Sequence, residues 1–98
     1  MGHFIHSDLG FRQSGEIVEV SLTSGANVRL LDSLNFSSYR TGRAYRCHGG
    51  LARQTPVHLP IPSAGHWHLV VDMQGLRGSA RASIRVLGTE VPAAQHLD

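Results

Sequence analysis

Lysine does not occur in this sequence: all nine basic residues are arginine. Against seven acids they leave a formal net charge of +2, and no stretch gathers them into a basic block, which argues against a polybasic arm. A single cysteine, Cys47, excludes an internal disulfide. Small secreted domains lean on such staples, so the expected compartment is the reducing cytoplasm. No apolar run approaches the ~20 residues of a spanning helix, and no membrane partner is expected. The opening residues MGHFIHSDLG lack the charged and apolar regions of a secretory leader, so none is expected. Aromatic residues make up only 6%, which leaves few rings for base stacking once Trp67 is assigned to a core. Also missing are a Gly-x-Ser-x-Gly elbow, a phosphate-binding loop, a dinucleotide fingerprint and a carboxylate pair. Without them the chain reads as a non-enzymatic module.

What is present fits one domain. Ninety-eight residues, 41% hydrophobic and 16% charged, supply one modest core. The expectation is a single β domain over residues 1–98, with 1–8 and 89–98 as candidate flexible ends. A period of two dominates. In GEIVEVSLTSG, Val18, Val20 and Leu22 alternate with Glu19 and Ser21 before a turn cluster. ANVRLLD reads as the return strand. SLNFSSYRTG is then a polar, glycine-ended loop, and RAYRCHGG a short strand closed by Gly49-Gly50. TPVHLPIP alternates Val57, Leu59 and Ile61 inward. Its prolines cannot donate to a ladder, which confines it to an edge. HWHLVVDM carries the strongest strand signal: Trp67, Leu69, Val71 and Met73 share one face, and His66, His68, Val70 and Asp72 the other. RASIRVLG is the last strand. With turns at roughly ten-residue spacing and no helical period over eleven residues, the chain predicts an all-β fold. This is an antiparallel sandwich or small barrel of about six to eight short strands. The expected core is Val18, Val20, Leu22, Val28, Leu30, Tyr45, Val57, Leu59, Ile61, Trp67, Leu69, Val71, Ile84 and Val86.

Three sets of residues carry chemistry. Residues i and i+2 of a strand point the same way, so His66 and His68 can approach one ion, and neutral imidazole suits zinc, copper, nickel or iron. A third ligand is needed. His48 is the candidate taken up, giving His48, His66 and His68 as the metal set, with His58 as a further candidate; Asp72 lies too far along the strand to join. No other cofactor is expected. A second set forms a polar rim for a protein or small ligand: Asn35, Tyr39, Arg46, His48 and His66, with Trp67 as structural anchor. The third set is arginine interleaved with tyrosine, Arg40, Arg43, Arg46 and Arg53 about Tyr39 and Tyr45, a pattern for nucleic acid that the small net charge disfavours. Cys47 shares its face with Tyr45 and reads as a small core thiol rather than a nucleophile.

The stretches NFSSYRTGRAYRCHGG and PVHLPIPSAGHWHLVVDMQG, with ASIRVL and the opening FIHSDLG, resemble a bacterial family known as domain of unknown function 1883. The likeness covers roughly residues 4 to 87. It implies an all-β domain and, because such modules stand alone or accompany a TIR domain, an accessory or sensing role. It implies little about activity, because the family is defined without an assigned function. The expectation is a small interaction or ligand-sensing module, with a homo-oligomer through an exposed edge strand as one form of partner. A histidine metal protein and a nucleic-acid module are the alternatives.

Overall fold

The computed structural model describes residues 3–88. Along them run β1 (Phe4–Arg12), β2 (Ile17–Leu22), β3 (Ala26–Asp32), α1 (Ser33–Arg40), β4 (His48–Ala52), β5 (Val57–Pro60), β6 (Gly65–Asp72) and β7 (Ala82–Leu87). The strands form two antiparallel sheets, ordered β1-β6-β3-β4 and β5-β2-β7. The sheets face each other as an open sandwich, so the expected fold is the one observed, in its sandwich form. Among the described residues no helix is long and apolar enough to cross a membrane.

The alternation read from the sequence sets the interior. Val18 and Val20 of β2, Ala26, Val28 and Leu30 of β3, and Trp67, Leu69 and Val71 of β6 are buried together with Ile61. Register aligns them in rows: Val28 opposes Val71 and Leu30 opposes Leu69 across β3 and β6. The indole nitrogen of Trp67 donates to the Ser63 carbonyl at 2.8 Å, which satisfies its polar edge. The proline-bearing strand β5 lies at a sheet edge, as its missing donors require.

Three elements differ from expectation. The stretch expected as a loop after Asp32 is the helix α1. Asp32 caps it, its carboxylate accepting the Asn35 N–H at 2.8 Å. Gly42, at φ +80°, ends it and donates to the Tyr39 carbonyl at 3.2 Å. Two turns are too short to show a helical hydrophobic period, and the polar serines hid it. The strand expected over residues 43–48 instead begins at His48, and Gly49-Gly50 lie within it. Gly49 has φ +104°, and a Cβ there would collide with the Val28 carbonyl oxygen. Glycine is thus what lets β4 close on β3. Finally, Phe4–Asp8, placed in a candidate flexible end, form most of β1; residues 1–2 and 89–98 lie outside the described residues. Of the expected core, Tyr45 leaves the interior: it packs edge-on against Tyr39 with ring centroids 5.2 Å apart. Val86 is half-buried and stands outside the buried cluster.

Two glycines separate conformational strain from collision. Gly75 also has positive φ, but a Cβ there meets nothing within 4 Å. Gly75→Ala is expected to cost about 1 kcal/mol of unfolding free energy and Gly49→Ala about 3 kcal/mol, measured by denaturant titration. Equal losses would show that the approach to Val28 is not tight.

Candidate functional site

Because Trp67, Leu69 and Val71 face inward, the alternate residues of β6 face outward, and so do those aligned with them on β1. Asp8 stands opposite His68, and His6 opposite Val70. A bulge between Asp8 and Gly10 breaks the register. The Gly10 N–H turns back to the Asp8 carboxylate at 2.9 Å, which aims that carboxylate along the sheet at His66. Bulges re-aim side chains in this way. His66 Nε2 lies 2.6 Å from Asp8 Oδ1. The donor atoms of Asp8, His66 and His68 all fall within 4.8 Å of one another.

His68 differs from the exposed Asp8 and His66 in being only 7% exposed. The helix covers it. Phe36 stacks on its ring at 4.5 Å and on the ring of His6 at 4.1 Å. Both His68 nitrogens are partnered: Nδ1 lies 2.9 Å from His6 Nε2, and Nε2 lies 3.0 Å from Ser33 Oγ. Neutral imidazole has one donor and one acceptor, which this pair of contacts uses fully. Burial lowers the pKa of His68, and the nearby His6 and His66 rings push the same way, against Asp8 and Asp32. The ring is thereby held in the neutral form that metals bind. The Gly10 N–H, and then His66, lower the pKa of Asp8 and keep it a carboxylate.

Four residues beyond His68, about 13 Å along the strand, Asp72 organises a second polar cluster. It is 4% exposed. Its oxygens accept from Asn27 Nδ2 at 2.8 Å, Arg29 Nε at 2.8 Å, Arg29 Nη2 at 3.3 Å, Tyr39 Oη at 2.5 Å and the Gln74 N–H at 3.1 Å. Burial alone would raise the carboxyl pKa; the donors, Arg29 first, outweigh it and hold it at about 2. Burial and Asp72 together raise the pKa of Tyr39, and Asp72 raises that of Arg29. The Arg29 guanidinium also lies over the rings of Tyr39 and Tyr45, at 5.9 and 5.8 Å. The cluster thus clamps α1 to the sheet. Beside it opens a cleft of about 730 Å³, walled by Phe4, Ile5, Tyr39, Val71, Met73 and Ala80.

The structure brings His66 and His68 together and adds Asp8, but it does not bring His48 to them. His48 pairs with the inward-facing Leu30, and its ring lies 5.9 Å from that of Trp67, on the other face of the sheet. His58 sits in the opposite sheet against Glu19, 3.0 Å away. Of the five residues of the expected rim, Asn35 and Arg46 meet, whereas His48 and His66 lie on opposite faces of their sheet. Asn35 accepts the Arg46 N–H at 2.8 Å and donates to Asp32 at 3.0 Å, holding the chain after the helix against its start. Tyr39 is spent on Asp72. Cys47 is half-buried in the segment before β4. Sequence reasoning missed His6 and Asp8, although the alternation Phe4-x-His6-x-Asp8 carries the strand period that would have placed them.

The clamp sets a pH dependence. The pKa of Asp72 is about 2 when folded and near 3.8 otherwise. A depressed pKa adds stability that is complete above the unfolded value and lost as pH falls toward the folded one. Unfolding free energy is expected to drop by about 2 kcal/mol between pH 5 and pH 2 on this account. In Asp72→Asn that contribution vanishes and stability at pH 7 falls by about 3 kcal/mol, with the half-buried Arg29 left without its carboxylate partner. Denaturant titrations across pH check both; an unchanged acid slope in the variant would refute the assignment.

A family model described as Domain of unknown function (DUF1883) matches residues 2–90. No curated protein and no solved structure matches the chain.

Proposed function

We propose that this chain, which belongs to the DUF1883 family, is a small binding module whose ligand is a transition-metal ion held by Asp8, His66 and His68. One observation carries the reading: the donor atoms of these three residues lie within 4.8 Å of one another. An ion bonded at about 2.0–2.2 Å to each needs only small side-chain rotations, and Asp8 and His66 have the room because both are exposed. Two imidazoles and one carboxylate suit zinc, iron(II) or cobalt(II). Calcium and magnesium prefer all-oxygen sites, and copper(I) prefers sulfur. Ser33 hydrogen-bonds one nitrogen of the buried His68 and so orients the ring, as partners of metal-bound histidines commonly do.

Binding rather than catalysis is favoured by what surrounds the donors. Asp8 and His66 are exposed on the outer sheet face, and His68 lies beneath Phe36 of the helix. The large cleft is walled at the other end of β6, and none of its lining residues belongs to the histidine group.

Full-length protein without a histidine tag, stripped with chelator, is expected to take up one zinc or cobalt(II) ion per chain in calorimetric titration. Its thermal midpoint should rise with ion concentration. His66→Ala and Asp8→Asn, both at exposed positions, should each weaken uptake by roughly 100-fold or more, since loss of a group that merely orients a ligand already costs roughly 10–100-fold. Absence of stoichiometric uptake, or uptake undiminished in both variants, would overturn the reading.

A further inference from the structure

We infer that His6 is the fourth ligand of this site, so that the ion sits in a closed set of three imidazoles and one carboxylate and fastens β1 to β6. The inference rests on the metal reading above and adds to it the coordination number, the class of ion and what binding does to the fold.

The distances carry it. Around a four-coordinate ion with bonds of about 2.0–2.1 Å, neighbouring ligand atoms stand about 3.3 Å apart. Two pairs on this face already stand closer than that: His66 Nε2 with Asp8 Oδ1 at 2.6 Å, and His6 Nε2 with His68 Nδ1 at 2.9 Å. Each pair is closed by a shared proton. An ion placed between the pairs takes the position of those protons, and each pair opens by roughly half an ångström. His6 stands outside the three-residue group. It is exposed, and among the described residues its side chain makes one hydrogen bond, the one to His68. Turning its Nε2 toward the ion breaks only that hydrogen bond.

The proton of each ring has a place to go. When His68 ligates through Nδ1, its one proton sits on Nε2 and is donated to Ser33 Oγ, now 3.0 Å away. His6 and His66 ligate through Nε2 and keep their protons on Nδ1. Phe36 lies against both His6 and His68, at 4.1 and 4.5 Å, and limits the orientations the two rings must give up. Such holding of ligand side chains by packed neighbours is what makes a site specific.

Three protein ligands leave a coordination position open, as catalytic zinc sites do; four close it, as structural ones do. The closed set selects a tetrahedral ion of the zinc class over an ion that requires octahedral geometry. Two of the ligands, His6 and Asp8, come from β1, and two, His66 and His68, from β6. Since β1 is an edge strand held along one side, the ion acts as a cross-link, and its arrival is felt as the ordering of that strand.

Cobalt(II) is the probe, because four-coordinate cobalt absorbs visible light much more strongly than five- or six-coordinate cobalt. The untagged full chain is titrated as wild type, His6→Ala, His66→Ala and, as a control outside the set, His3→Ala. Circular dichroism of the metal-free proteins checks folding, and amide exchange of residues 4–12 is followed with and without zinc. The expected result is one ion per chain with strong visible bands in wild type and in His3→Ala, and protection of β1 amides by zinc. His6→Ala should bind roughly 100-fold more weakly, with the strong bands lost and no zinc-dependent protection. If His66→Ala abolishes binding while His6→Ala keeps the wild-type affinity and spectrum, the three-ligand reading stands and the fourth ligand is refuted. If wild type takes up no ion, both fall. If binding is lost in His6→Ala but retained in His66→Ala, the four-residue set is refuted.

Discussion

The outward face of this domain depends on a constraint imposed from the inside. Strand β6 pairs on both sides, with β1 and with β3, and must bury Trp67, Leu69 and Val71 in the sandwich. Side chains in a strand alternate, so His66, His68, Val70 and Asp72 have no choice of side. Val70 and the neighbouring Leu31 are fully buried there as well, which means the second face also needs a cover. The short helix α1 supplies it. It arrives from β3 through a cap that both ends the strand and begins the helix, and lays Phe36 and Tyr39 across the sheet. The sandwich core and the polar outer face are thus two readings of one alternation.

Under that helix the fold has solved the same problem twice, in opposite ways. A buried polar group is costly unless its hydrogen bonds are satisfied. Asp72 remains charged and is surrounded with donors, among them a guanidinium that itself rests between two tyrosine rings. His68 is kept neutral, with one nitrogen facing a hydroxyl and the other facing a second imidazole. The first solution saturates every lone pair and leaves nothing to bind with, so it is a fastening. The second leaves groups that exchange partners without unmasking a buried charge, and it lies next to exposed donors on Asp8 and His66. The proposed ion site therefore lies at the histidines, and the fastening at the carboxylate.

Much of this was legible in the residues. The alternation in β2, β3, β6 and β7 placed the sandwich interior, the prolines placed β5 at an edge, and the separation of Trp67 from His66 and His68 followed from the period of two. The helix was not legible because eight residues rich in serine show no apolar stripe; its cap Asp32 and stop Gly42 were the available marks. Tyr45 was expected inside because RAYRC alternates, yet that segment is not a strand, and its ring is drawn to Arg29 and Tyr39 instead. For the proposed site, the spacing on one strand is what pairs His66 with His68. Asp8 and His6 come from another strand far away in sequence, and pairing across 58 residues or more leaves no local trace. His48 was chosen as third ligand for its residue type; a close glycine approach and the register with Leu30 turn it to the wrong face.

The bulge between Asp8 and Gly10 has an effect beyond the carboxylate it aims. A strand at the rim of a sheet is a template on which another chain can crystallise into fibrils, and flat, regular rims are the hazardous ones. One surplus residue puts the two halves of β1 out of phase, so an incoming chain matched to residues 4–8 is mismatched to 10–12. At the opposite rim, Gly49 and Gly50 bend β4 with positive φ, and β5 interrupts its own ladder with Pro60. The irregularity that shapes the outer face is also a safeguard against self-propagating polymerisation.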